Sequence, residues 1–465
     1  MKYLIVGAGP TGIGAALALN ELGCSDYLMI DGQDIAGGLS SSFVDDAGFT
    51  WDLGGHVQFS HYEIFDEYMD KALGKEGWLN HQRESWVWMR DTFVPYPFQF
   101  NLHRLPPKER WDCVKGLFEA SKAEPTKPSH FKEWAIATFG GGVTEHFFYP
   151  YNFKVWAHPL ELMSYQWVGE RVAVPDLAKV MEGVCLGEDQ VSWGPNSTFR
   201  FPLRGGTGSI WRALAGFIPE ENKKLGVRVV SVDPAGHTVT LDNGEVLAYE
   251  KLISTVPVDQ FTELANLPQL SAESSQLLYS STHVVGIGLE GQPAEPLETK
   301  CWMYFPEENC PFYRVTVFSN YSPNNTLAPG ETWSLMAEVA QSPYKPVDQA
   351  TVVEDVVQGM INAKLISPDD KILSKWYCFL DHGYPTPSVN RDSHINAVLP
   401  ELEKFDIYSR GRFGAWKYEV SNQDHSFMQG WECAVRLLTG AGAEAEPTLH
   451  TPSAVNKQYN RRNPS

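Results

Sequence analysis

The sequence predicts an α/β protein: a β-α-β unit of the kind that binds a dinucleotide, a helical unit inserted after it, and a second, antiparallel sheet. Three observations carry this reading. Lys2-Tyr-Leu-Ile-Val6 is a short apolar run that leads straight into Gly7-Ala-Gly9-Pro-Thr-Gly12 and then into small and aliphatic residues at helical spacing, Ile13 to Leu22. A second apolar run, Tyr27 to Ile30, ends in Asp31, about 20 residues beyond the glycines. From Lys108 to about Val184 the pattern is helical, and between about residues 280 and 380 it becomes that of strands.

Each element has a reason. The two apolar runs read as neighbouring parallel strands, joined by a tight turn and a helix. Trp111 to Ala123 and Phe131 to Phe139 have the 3.6-residue period of helices. Val229-Val230, Val239 to Leu241 and Val246-Leu247 are strand fragments, with a hairpin turn at Asp242-Asn-Gly244. Leu252 to Pro257 reads as a further strand of the first sheet, while His283 to Leu289, Cys301 to Phe305 and Tyr313 to Phe318 belong to the antiparallel one. Phe427, Trp431, Val435 and Leu438 mark one face of a late helix that Gly440 ends.

The totals exclude several classes. A chain of 465 residues with 43% hydrophobic and 20% charged residues is long enough for about three domains. No apolar run spans a bilayer and the start is a buried strand in pattern, so neither membrane insertion nor export is expected. A formal charge of −20 argues against a nucleic-acid partner. Seven scattered cysteines without a C-x-x-C pair suggest reduced thiols in the cytoplasm and no metal site.

The motifs then narrow the chemistry. Gly7 permits the tight turn, Gly9 lets backbone N–H groups reach a pyrophosphate, and Gly12 lets the helix pack on the strand. Asp31 is placed for a ribose 2′-hydroxyl, which disfavours a 2′-phosphate and leaves FAD or NAD. Gly37-Gly38-Leu39-Ser40 supplies a second set of backbone and hydroxyl donors and tilts the choice to FAD. Gly54-Gly55-His56 offers unobstructed backbone beside a flat ring. The expected division is a Rossmann-like FAD-binding domain (1–79, 205–257 and 402–465), a helical substrate domain (101–190) and an antiparallel sheet domain (80–100, 191–204 and 258–401).

Ten ordered stretches resemble the UDP-galactopyranose mutases, specifically the eukaryotic type. Among them are Gly54 to His61, Val94 to Gln99, Pro150 to Trp156, Gly169 to Val172, Trp193 to Pro202, Cys301 to Pro306, Asn309 to Arg314 and Asp381 to Pro387. The resemblance covers nearly the whole chain. It implies interconversion of UDP-galactopyranose and UDP-galactofuranose through a covalent adduct between reduced flavin N5 and the anomeric carbon, without net redox change.

The resemblance also implies roles. Arg171 and Arg314 match diphosphate-binding arginines, supported by the hydroxyls of Tyr304, Tyr321, Tyr384 and Tyr418. Tyr96, Gln99, Phe147 and Asn152 stand where the family holds uridine. Phe59, Trp156 and Asn196 stand at the sugar pocket, with His56 against the flavin. Arg412 matches an FAD contact, and Asn422, Gln423 and Ser426 open a helix facing the flavin. His61 and Arg83 match residues for NADPH, so NADPH or NADH is the implied reductant. The preferred hexose is left open, as is a homo-oligomer. Two other readings share the motifs: an amine-oxidase-like flavin oxidoreductase and a non-catalytic nucleotide-sugar-binding protein.

Overall fold

The computed structural model describes residues 1–169, 171–190 and 197–457. The first sheet has five strands in the order Ile407–Ser409, Lys251–Ser254, Tyr3–Val6, Tyr27–Asp31 and Lys223–Leu225. Every pairing in it is parallel, with Tyr3 beside Tyr27 on one side and Lys251 on the other. A parallel sheet covered on both faces needs apolar strands, and Tyr3–Val6 is buried throughout. One face packs on the helices Pro10–Glu21 and Gln423–Thr439, the other on Val258–Leu264 and Arg391–Glu403.

Helices Pro10–Glu21 and Gln423–Thr439 meet backbone to backbone. A Cβ on Gly14 would lie 2.2 Å from the Phe427 carbonyl oxygen, and one on Gly430 would lie 1.8 Å from that of Thr11. The later helix ends at Gly440, in the left-handed conformation that satisfies the Arg436 carbonyl. Its expected apolar face forms: Phe427 and Trp431 are buried, and Val435 and Leu438 pack against the same core.

The second sheet has seven strands in the order Ile372–Pro385, Tyr279–Glu290, Thr332–Gln341, Arg314–Val317, Trp302–Tyr304, Ser85–Met89 and Thr92–Pro95. It is antiparallel as expected, except where Ser85–Met89 runs parallel to Trp302–Tyr304. Trp78–Gln82 lies outside this sheet and forms a two-stranded antiparallel ribbon with Thr198–Pro202. The inserted unit comprises Pro107–Lys122, Phe131–Val143, Tyr149–Trp156 and Leu177–Leu186 around an aromatic core. Residues 229–248 form the expected three-stranded meander. The helices of 258–274 and 391–403, assigned from the sequence with the second sheet, share a buried cluster or direct packing with the first.

Candidate active site

A cavity of about 830 Å³ runs between the two sheets, within the range of cofactor and ligand pockets. At one end lie Gly9, Pro10, Thr11, Asp31, Gly38, Leu39 and Ser40. Helix Pro10–Glu21 starts here with no side-chain cap, so its first N–H groups are left for an anion. The Asp31 carboxylate accepts from the N–H groups of Ala8 and Gln33, at 2.6 and 2.7 Å, and burial pushes its carboxyl up against their pull. Gly7, Gly12 and Gly37 do not line the cavity; Gly7 and Gly37 shape the turns behind it and Gly12 lies in the first turn of the helix. A Cβ on Gly12 would meet the Gly7 carbonyl oxygen at 1.8 Å, which is the close approach expected of that glycine.

A second uncapped helix start opens on the same cavity. Asn422 precedes helix Gln423–Thr439 without a side-chain cap, and Asn422, Gln423, Asp424 and Ser426 all line the wall. Gln423 accepts a hydrogen bond from the Trp211 indole at 2.8 Å, which fixes the helix entry. Facing it are Gly54, Gly55, His56, Phe59, Arg314, Tyr384, Arg412 and Tyr418. Burial lowers the His56 pKa to about 4 despite the nearby Glu338, and its Nδ1 has no partner among the described residues. Two helix N-termini, an orphaned buried imidazole nitrogen and the acid at the strand tip fit a flavin dinucleotide.

Behind Tyr384 and Tyr418, off the cavity lining, lies a cluster of packed aromatic rings that includes Tyr96, Phe147, Trp156 and Tyr304. Trp156 meets Tyr418 at 4.8 Å and Tyr384 at 5.8 Å. Tyr151 links Phe147, at 5.3 Å, to Tyr304, at 5.1 Å, and Tyr304 meets Tyr96 at 5.7 Å. Arg83 lies over the Tyr96 ring. The side-chain amides of Gln99 and Asn152 donate to the carbonyls of Ala173 and Phe148. Burial raises the pKa of Tyr304 and of Tyr418, which keeps both as neutral hydroxyls.

Arg171 is not on the cavity wall; it donates to the Glu419 carbonyl and lies 5.8 Å over the Tyr418 ring. Arg412 lies over Tyr384 at 4.7 Å and donates to the Gly383 carbonyl. Tyr321, like Tyr304, does not line the cavity. It is 1% exposed among Phe199, Phe201 and Phe318, with its carbonyl taken by His81, so aromatic packing holds it away from the wall. Asn196 lies outside the described residues.

Two features have no counterpart in the sequence reading. Glu338, 2% exposed, pairs with Arg314 across adjacent strands and takes the guanidinium through Nε and Nη2. An acid inside the apolar run Thr332 to Gln341 was the signal for it. His61, Asp424 and His425 also cluster, with polar atoms within 4.8 Å of one another, where the sequence suggested no metal-type group. The His61 Nδ1 and Asp424 Oδ2 satisfy each other at 2.7 Å, and 363 residues of separation hid the pair.

The family model for flavin containing amine oxidoreductases matches residues 10–360. Among solved structures, a reduced UDP-galactopyranose mutase is 47% identical, with a TM-score of 0.94 over 99% of each chain. The chain belongs to the UDP-galactopyranose mutase family. A putative protoporphyrinogen oxidase from an Exiguobacterium species, 17% identical, has a TM-score of 0.72 over 95% of this chain and 99% of its own. A putrescine oxidase with putrescine bound is 14% identical, with a TM-score of 0.64 over 94% and 99%. Those two share only the fold with this mutase-family chain. The amine-oxidase reading of the motifs is thus the broader grouping, and the mutase family the narrower one.

Proposed function

We propose that the chain interconverts UDP-galactopyranose and UDP-galactofuranose on reduced FAD, with no net redox change. The observation that carries this is full-length similarity to a reduced UDP-galactopyranose mutase at 47% identity. When bound and reduced, FAD supplies the nucleophile at N5; the protein supplies binding and orientation.

In this reading the residues divide the task along the cavity. Gly9, Ser40 and the start of helix Pro10–Glu21 hold the pyrophosphate, and Asp31 the adenosine ribose. The start of helix Gln423–Thr439 places partial positive charge where the reduced ring is anionic. Arg314, with Arg171 beside Tyr418, binds the UDP diphosphate, and the Tyr304, Tyr384 and Tyr418 hydroxyls donate to it. Arg412 contacts the cofactor. Tyr96, Phe147, Gln99 and Asn152 hold uridine, while Phe59, Trp156 and Asn196 shape the sugar pocket. His56, uncharged at neutral pH, packs against the ring without repelling the arginines. The aromatic lining keeps water from the anomeric carbon.

NADPH or NADH, the external reductant in this reading, enters the same cleft past His61 and Arg83. Saturating UDP should therefore slow flavin reduction by NADPH, and a rate indifferent to UDP would remove that part of the proposal. Seven unpaired cysteines support a reducing compartment such as the cytoplasm. The central test is direct. Protein reduced with dithionite under argon should convert UDP-galactofuranose to UDP-galactopyranose, and the oxidised protein should not. No conversion by a fully reduced, FAD-loaded sample would refute the reading.

A further inference from the structure

The Arg314–Glu338 pair sits tight against the loop at His56. A Cβ on Gly54 would lie 3.0 Å from Glu338 Oε1, and one on Gly55 would lie 3.2 Å from Arg314 Cζ. Both side chains line the cavity. The carboxylate is anchored further by the Tyr313 hydroxyl, which donates to Oε1 at 3.3 Å. A guanidinium presents one side edge, Nε with Nη2, and one end to a bidentate anion. Glu338 takes the side edge. Nη1 makes no hydrogen bond among the described residues, so the end of the fork is what remains.

We propose that Glu338 limits how tightly this site holds the diphosphate of its substrate, by occupying the edge of Arg314 that a phosphate would otherwise take. The inference rests on the reading of Arg314 as a diphosphate ligand. A diphosphate reaching this arginine either shares it end-on or displaces the carboxylate, and in both cases a buried negative charge opposes a second one. Even at an effective dielectric of about 20, two charges several ångströms apart repel by more than the cost of freezing one arginine rotamer, so charge decides the sign over orientation. The chemistry gives the device a use. UDP leaves the anomeric carbon, waits and returns, and the product must then depart; a site that gripped the diphosphate with the whole fork would retain UDP.

The test compares FAD-loaded parent, E338Q, R314A and the double variant, titrated with UDP and with uridine. E338Q should bind UDP tighter on the order of tenfold and uridine unchanged, and the gain should shrink on the R314A background, where the contested edge is gone and only the repulsion between carboxylate and diphosphate remains. In turnover, KM and kcat should fall together, because release slows. E338D, which draws the carboxylate back by one methylene, should shift UDP affinity the same way by less, and it serves where E338Q fails to retain FAD. UDP affinity unchanged or weaker in FAD-loaded E338Q or E338D, with R314A weakened, would overturn the role of Glu338 alone. R314A binding UDP like the parent would instead overturn the diphosphate reading itself.

Discussion

Arg171 and Arg314 differ in how they are held, yet in the proposed reading each brings a charge to the same diphosphate. Arg314 faces the cavity with a carboxylate on one edge, whereas Arg171 reaches the site only through the Glu419 carbonyl and the Tyr418 ring. Neither touches the end of the cavity that holds Asp31, so FAD occupancy should survive both R314A and R171A. UDP affinity should fall in each by about 2–5 kcal/mol, the range for losing a charge-assisted partner. Titration of UDP into flavin-loaded variants measures it. Parent-like affinity in both would mean that the diphosphate lies elsewhere. Tyr321 shows why single residues are harder to place than motifs. The family resemblance matched it to a phosphate-binding tyrosine, and its ring packs between Phe199 and Phe201. A matched stretch carries no information on which way a ring turns inside an aromatic cluster.

At the scale of elements, much was legible because the signals were local. The glycine loop, the acid at the second strand tip and the apolar face Phe427 to Leu438 each follow from period or turn chemistry, and each forms where expected. What was hidden depends on contacts distant in sequence. The parallel pairing of Ser85–Met89 with Trp302–Tyr304, the Arg314–Glu338 register and the His61–Asp424 bond join segments that no window contains. The contact of helix Pro10–Glu21 with helix Gln423–Thr439 is another such case, and it bears on the site because both helices start at the cavity wall. A methyl group at Gly430 would collide with the Thr11 carbonyl at 1.8 Å, and backbone cannot yield as a side-chain tip can. Gly430→Ala should therefore part the two helix starts, lowering stability on the order of 2–4 kcal/mol and releasing FAD. Thermal unfolding and retained flavin absorbance report the two effects. A G430A protein with parent stability would show that the helices can slide apart at no cost.

Across the whole molecule, buried titratable groups set opposing pH slopes. Burial lowers His56 and His425 to about 4, so the folded chain favours their neutral forms. Their contribution is present above the unfolded value near 6.5 and is lost as pH falls through about 4. Glu432 behaves oppositely. Burial lifts it to about 7 although Thr448 donates both its N–H and its hydroxyl to the carboxyl, and Glu446 adds to the rise. Its contribution is complete below about 4.5 and is lost as pH rises through about 7. The slopes of these three groups offset one another in mildly acid solution, and above the histidine range the Glu432 penalty still grows. A glutamine keeps the shape and an acceptor for Thr448 while removing the charge. Glu432→Gln in the FAD-loaded protein should thus leave the melting temperature unchanged near pH 4.5 and raise it at pH 8. The gain there should be worth roughly 3 kcal/mol from a shift of this size. An equal rise at both pH values would mean that Glu432 acts through packing and not through its proton.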